Sequence, residues 1–256
     1  MKIITHVLTN NADWVLPWTL RHYRTFSEVV VHDGGPNWDP ASPTRELCAA
    51  HGATWMAWDT AGELNDDLAR NLKNRCWVDT DADWVIVADA DELLWFPDGA
   101  DAAFSAYEAL GAAVIKPYGI EMFSDSMPDP GIGQIYEQIK NGAPDDKWYA
   151  KPILFSAKRV SDSGFGNGAH ESRIVLKDGR AMNVGLNFRK SKPACLLLHF
   201  HQIGSIEQVA ARYDATRKRL AAINVQNNWG NVYDSGIVHA CKKRAFILPN
   251  LRQVVP

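Results

Sequence analysis

The sequence predicts an α/β protein with a mostly parallel central sheet flanked by helices, a small antiparallel hairpin region and C-terminal helices. Three observations predict it. Over residues 1–118, short apolar runs rich in β-branched residues alternate with stretches of helical periodicity. This β-α-β-α-β-α-β-α-β order gives parallel strands with helices on both faces. The most apolar run, Trp84-Val85-Ile86-Val87-Ala88, leads directly into Asp89, Asp91 and Glu92. Open α/β sheets gather their ligands at such carboxyl ends of strands. Finally, 256 residues suit one large domain of this kind or two small ones.

Residues 2–8 read as the first strand, ending in Thr9-Asn10-Asn11, which suits a ligand loop and a helix cap. Residues 13–26 read as a helix that tolerates Pro17 near its start. The strand at 28–32 runs into Asp33-Gly34-Gly35-Pro36, where Asp33 either accepts hydrogen bonds from a ligand or closes a plain Asp-Gly turn. Ser42-Pro43 opens a helix to about residue 51, and a strand follows at 53–58. The helix at 65–77 carries Arg70, Lys73, Asn74 and Arg75. After the acidic strand end come a helix at 100–110 and a strand at 112–118.

Residues 119–148, rich in Gly, Pro, Asp and Met, read as a long lid or binding loop. A short strand at 151–155 and a glycine-rich stretch around His170 follow. A hairpin at 173–176 and 181–184 turns through Lys177-Asp178-Gly179. The apolar strand at 195–201 ends in His199 and His201. Residues 205–221 form an amphipathic helix, with Ile206, Val209, Ala210, Tyr213 and Leu220 on one face and Arg212, Arg217, Lys218 and Arg219 on the other. In the weakly patterned tail, Lys242-Lys243-Arg244 reads as a solvated helix face or a contact for an anionic membrane surface.

The net charge of −3 argues against a broad nucleic-acid surface. Cys48, Cys76, Cys195 and Cys241 form no C-x-x-C pair, which fits a reducing compartment and neither a zinc site nor a disulfide framework. Ten tryptophans supply core and, where exposed, surfaces on which sugar rings stack. No run has the apolar length of a transmembrane span, and the N-terminus lacks a signal-peptide pattern. The expected location is cytoplasmic, with peripheral membrane contact left open.

Asp89 and Asp91 repel one another unless a cation lies between them. A hard divalent ion, Mg2+ or Mn2+, suits two carboxylates plus the oxygens of a diphosphate. A histidine at a strand's end, such as His199 or His201, is either a hydrogen-bonded structural residue or a metal ligand through neutral imidazole.

The stretch Asp-Trp-Val-Ile-Val-Ala-Asp-Ala-Asp-Glu-Leu (83–93) resembles the D-A-D-E motif of GT-A fold glycosyltransferases of the family 2-like kind. Lys73-Asn74 resembles the K-N upstream of that motif, and Lys151-Pro152-Ile153-Leu154-Phe155 resembles its K-P-x-x-F segment. Gly168-Ala169-His170 resembles its G-x-H, and Leu197-Leu198-His199-Phe200 its L-L-H-[YF]. These pieces occur in the family's order over roughly residues 1–215, with His201 standing where the family often has Lys.

The resemblance implies a GT-A, Rossmann-like fold forming one compact domain. Residues 1–118 would bind a UDP-, GDP- or dTDP-sugar, and residues 119–256 would supply the acceptor side, for a glycan or lipid-linked glycan. It implies Mn2+ or Mg2+ on Asp91, with His199 as third ligand, and Asp89 either on the metal or holding ribose or a metal-bound water. Donor contacts are expected from Thr9, Asn11, Asp33, Arg70, Lys73, Asp89, Ala90, Lys151 and His170. An inverting transfer needs a base on the acceptor side. Glu121 is the first candidate and Asp125 the second, with Asp145 and Asp146 behind them, while Trp148 and Tyr149 are either a sugar platform or core.

Two other readings differ in class. A sugar-nucleotide nucleotidyltransferase would carry a glycine-rich loop after the first strand, where this chain has Thr9-Asn10-Asn11-Ala12. A non-catalytic carbohydrate-binding module has no need of the acidic cluster and the late histidine. A haloacid-type phosphatase is disfavoured because Glu92-Leu93 follows Asp91 deep in the chain.

Overall fold

The computed structural model describes residues 1–35, 43–185, 194–230 and 235–256, without the side chain of Asp146. Pro36, Ser42 and the Asp146 carboxylate therefore lie outside the described residues. The first part of the chain runs β1 (Ile3–Thr9), α1 (Leu16–Tyr23), β2 (Glu28–Asp33), α2 (Pro43–Ala50), β3 (Thr54–Ala57), α3 (Asp66–Arg75), β4 (Trp84–Asp89), β5 (Glu92–Trp95), α4 (Ala100–Ala109) and β6 (Val114–Ile115). It continues with β7 (Tyr118–Ser124), α5 (Ile135–Gln138), β8 (Asn141–Pro144), α6 (Asp146–Tyr149), β9 (Leu154–Ser156), β10 (Val160–Asp162), β11 (Ser172–Leu176) and β12 (Ala181–Val184). β13 (Leu196–Ile203), α7 (Ile206–Arg217), α8 (Ala222–Gln226), α9 (Gly236–Ile247) and β14 (Arg252–Gln253) complete it.

The central sheet has the order β3-β2-β1-β4-β9-β6. Its β3, β2, β1 and β4 are parallel; β9 adds antiparallel to β4, and β6 pairs antiparallel with β9 and so runs in the direction of β4. Both faces of β4 are covered, so Trp84 through Ala88 are all buried and its sequence is continuously apolar rather than alternating. The fold class expected from the sequence is the one observed: α/β, with a mostly parallel central sheet and flanking helices.

Local chemistry explains the helices that position the site. Asn65 caps α3 by accepting the Leu68 amide at 3.1 Å, and acids in the first turn with Lys73 and Arg75 in the last suit the helix dipole. Ser205 and Gln208 form a reciprocal capping box on α7. One continuous core joins Val7 and Val31 of the central sheet to Leu93, Leu94, Leu197 and Leu198 of the second sheet.

Three expectations are corrected. The strand expected at 112–118 is only Val114–Ile115 in the central sheet; the chain breaks at Lys116-Pro117 and Tyr118 starts β7 in another sheet. The lid expected at 119–148 is instead largely ordered into β7, α5, β8 and α6. A second sheet, β14-β8-β7-β13-β5, is built there. Its glycines permit close packing rather than a flexible loop: a Cβ on Gly119 would lie 2.5 Å from the Ala150 nitrogen, and one on Gly142 would lie 2.6 Å from the Ile120 side chain. Third, Arg212 does not sit on an outer polar face. Its guanidinium lies 4.4 Å from the Trp14 ring centroid and donates to the His201 carbonyl at 3.1 Å.

The two sheets meet at Ala90-Asp91, the connection from β4 to β5. Ala90 N donates to Leu8 O of β1 at 3.0 Å, and Phe200 N of β13 donates to Asp91 O at 2.9 Å. The Thr19 hydroxyl donates to the Ala90 carbonyl. β5 then pairs antiparallel with β13, placing Glu92 opposite His199. The end of β4 and the histidines of β13 are thus joined by backbone hydrogen bonds.

Candidate functional site

Asp89 and Asp91 take different partners. Asp89, the last residue of β4, turns toward α3 and accepts Lys73 Nζ at 2.7 Å on Oδ1 and 2.8 Å on Oδ2. Lys151 Nζ lies 3.5 Å from Asp89 Oδ2 and 2.5 Å from Glu92 Oε1. Glu92 is buried, and its Oε2 accepts the Asp89 amide at 3.1 Å, closing the turn from within. Burial would raise the Asp89 carboxyl, but the Lys73 and Lys151 ammonium groups hold it below the usual carboxylate range. Burial likewise opposes charge on Lys151, and the Glu92 and Asp89 carboxylates more than offset it. The acidic cluster therefore has a packing role in two of its three members: two buried lysines neutralise two carboxylates.

Asp91, past the turn, faces β13. Its Oδ2 lies 3.4 Å from His199 Nε2. On the other side of the ring, His199 Nδ1 donates to Glu121 Oε1 of β7 at 3.0 Å. Tyr149 stacks on the His199 ring with centroids 4.0 Å apart and planes 17° from parallel. Burial opposes protonation of His199, but Glu121 and then Asp91 outweigh it and raise the imidazole to about 9. His201 differs: burial lowers it to about 4 and keeps it neutral. Asp91, His199 and His201 each offer one ligand atom, all within 4.8 Å of one another.

This donor set fits a divalent cation that displaces the proton from His199 Nε2. It comprises one carboxylate and two imidazoles, and the Glu121–His199 bond fixes the ring so that Nε2 faces Asp91. Ligating histidines commonly hold their other nitrogen on a carboxylate in this way. Both histidines are brought to Asp91, whereas Asp89 is drawn into the lysine pair.

The remaining expected residues are distributed as follows. Thr9 is buried, and its hydroxyl lies 3.4 Å from the Ala12 amide it accepts. Asn11 adopts a φ of 60°, a left-handed conformation that Asn tolerates. Asp33 accepts Gly35 N at 3.0 Å and Trp55 Nε1 at 3.1 Å, so it closes the Asp-Gly turn. Arg70 pairs with Asp67 at 2.7 Å and donates to Asn167 Oδ1 at 3.2 Å, linking α3 to the glycine-rich stretch. Ala90 forms the turn itself. His170 donates Nδ1 to the Trp148 carbonyl at 2.7 Å; burial, then the Lys151 charge, lower it to about 3.

On the acceptor side, Glu121 is buried against His199 and is not presented to solvent. Asp125 lies away from the cluster, its side chain 76% exposed and paired with Arg244 at 2.6 Å. Asp145 is buried and accepts Lys243 at 3.2 Å. Tyr149 is a packing partner of His199, while Trp148 remains exposed. Three roles were not visible in sequence: Glu92 as the turn's internal acceptor, Tyr149 as the stacking plate, and Arg219, which donates to Asn10 from 209 residues away. Glu92 carried a signal as the third acid of the motif, and Tyr149 was named as a sugar platform or core.

No protein-family model matches the chain, and no curated protein matches it. Solved structures resemble part of the chain at low scores. S. aureus TarS 1-349 has a TM-score of 0.37 at 13% identity, covering 61% of this chain and 47% of that one. The same fragment in complex with UDP-GlcNAc has a TM-score of 0.36 at 13% identity, covering 61% and 45%. A 4-diphosphocytidyl-2C-methyl-D-erythritol synthase has a TM-score of 0.32 at 16% identity, covering 61% and 76%. The chain thus matches about half the length of the TarS fragment. At TM-scores below 0.5 these likenesses carry no argument about this chain. No helix among the described residues is long and apolar enough to cross a membrane.

Proposed function

We propose that the chain is a metal-dependent glycosyltransferase of GT-A type, family 2-like, moving a sugar from a nucleoside-diphosphate sugar to an acceptor hydroxyl. The observation that carries this reading is the convergence of Asp91, just past the carboxyl end of β4, with His199 and His201 from within β13, beside the Asp89–Lys73–Lys151 group. Residues 1–118 would bind the donor and residues 119–256 the acceptor, a glycan or lipid-linked glycan.

The chemistry needs positive charge where the nucleoside diphosphate leaves, because that group departs carrying added negative charge. Mn2+ or Mg2+ held by Asp91, His199 and His201 would supply that charge as a Lewis acid. Lys73 and Lys151 fix the Asp89 carboxylate, whose side chain is one-third exposed and so can accept a hydroxyl of the donor. Glu121 acts through His199: already bonded to its Nδ1, it orients the ring rather than taking the acceptor proton. His170 feels the Lys151, Lys73 and Asp89 charges, and Arg70 bonds Asn167 of the same glycine-rich stretch. The transfer is read as inverting, as the motif resemblance implies.

The test is donor turnover. UDP-, GDP- and dTDP-sugars are incubated with the protein in EDTA and in Mn2+, and release of the diphosphate is followed. Mn2+-dependent release of one diphosphate, lost in Asp91→Ala, supports the reading. Release that is equal in EDTA rules out metal dependence, and no release with any donor rules out the enzyme.

A further inference from the structure

A second cluster of ligating side chains lies beneath α3, in the interface with the central sheet. In the parallel register His6 of β1 sits opposite Val30, and Leu8 sits opposite His32 of β2. His6 and His32 are therefore diagonal neighbours on one face of the sheet. On the other side of β1, the β1–β4 register pairs Leu8 with Asp89. That face is covered by α3, whose Lys73 reaches Asp89 while Cys76, at the helix's C-terminal cap, follows three residues on. Residues three apart share a helix face, so the contact that holds Lys73 on Asp89 also directs Cys76 toward the two histidines.

The three side chains each offer one ligand atom, all within 4.8 Å of one another. His6 Nδ1 and His32 Nε2 are 3.0 Å apart, with rings stacked at 5.3 Å between centroids. His6 and His32 are only 6% and 4% exposed. Only one proton can bridge the two nitrogens, and the remaining His6 nitrogen, Nε2, is buried with no hydrogen-bond partner among the described residues. An orphaned buried polar atom is uncommon, and an ion is one of the agents that satisfies it.

We propose that His6, His32 and Cys76 form a buried structural site for a borderline transition ion such as Zn2+, separate from the Asp91–His199–His201 cluster. Two imidazoles and a thiolate select such ions over Mg2+ or Ca2+. Binding deprotonates the Cys76 thiol and releases that proton to solvent, with no change of oxidation state. The ion clips the end of α3 to β1 and β2, and so steadies the helix that presents Arg70 and Lys73.

The test uses the full chain stripped of metal and titrated with Co2+, read by the near-ultraviolet thiolate-to-Co2+ absorption. The thiolate band is expected on adding Co2+ to the wild type, retained in Asp91→Asn, lost in Cys76→Ala, and removed by added Zn2+. Absence of the band in the wild type, or its survival in Cys76→Ala, overturns the proposal. A measurement free of any variant stands beside it: alkylation of Cys76 in the wild type, mapped by peptide mass, is expected to slow several-fold in Zn2+ relative to EDTA. Equal rates in the two conditions overturn the proposal.

Discussion

Glu121 Oε1 lies 3.0 Å from His199 Nδ1, on the side of the ring opposite Asp91. A carboxylate that looks in sequence like a base for the acceptor is thus, in the fold, the group that aims a candidate metal ligand. Removing such an outer partner commonly costs about 10- to 100-fold in metal affinity. Glu121→Gln is expected to keep its fold by circular dichroism and to weaken Mn2+ binding by about that factor in calorimetry. Unchanged Mn2+ affinity with abolished turnover would return Glu121 to the role of proton acceptor.

Lys151 is the centre of a buried charge group, its side chain 6% exposed beside a Glu92 that is 1% exposed. Lys151→Met strands the Glu92 carboxylate in the interior, and breaking a buried pair from one side costs about 3–5 kcal/mol. Urea unfolding should register a loss of that size. Lys73→Met should cost less, because its partner Asp89 is one-third exposed and water can take over. Equal and small losses would mean that the group is not load-sharing in this way.

Gly119 tests the second sheet. Its missing Cβ leaves room for the Tyr149–Ala150 backbone, which a methyl would approach to 2.5 Å. Gly119→Ala is expected to destabilise by about 1–3 kcal/mol or more, as overpacking does. A neutral effect in urea unfolding would show that β7 is not held against that backbone.

His22 provides a pH signature away from the site. It is buried, donates Nε2 to the Leu94 carbonyl at 2.8 Å, and burial lowers it from 6.5 to about 4. The unfolded chain therefore binds this proton more readily than the folded one. Its contribution is intact above pH 6.5, is lost as pH falls toward 4, and changes no further below that. The full loss is on the order of 3 kcal/mol, from 1.36 kcal/mol per pKa unit. His22→Gln should flatten the dependence of unfolding free energy on pH in that window, and an unaltered slope would remove His22 as its cause.

The legible part of the fold was the part governed by period. β1 through β4, and α4, follow the alternation of apolar runs and helical stretches, which β5 interrupts, and Trp84 through Ala88 show the continuous apolarity of a strand covered on both faces. The second sheet was not legible because Gly119 and Gly142, which let backbones approach, look the same in sequence as the glycines of a loop. The candidate site was legible in its members and not in their partners. Asp89 and Asp91 are two apart and would share a face in an extended chain, yet the Ala90-Asp91 turn sends one to Lys73 and the other to His199. His6, His32 and Cys76 have no motif spacing, and only the register of β1 with β2 beneath α3 brings them together.

The most direct test of a metal-dependent donor site is calorimetric titration of UDP, GDP and dTDP with and without Mn2+, on the wild type and on Asp91→Ala. The account predicts tight binding of one diphosphate that requires Mn2+ and is lost in the variant. Binding of no diphosphate in either condition, or binding indifferent to both Mn2+ and Asp91, would contradict it.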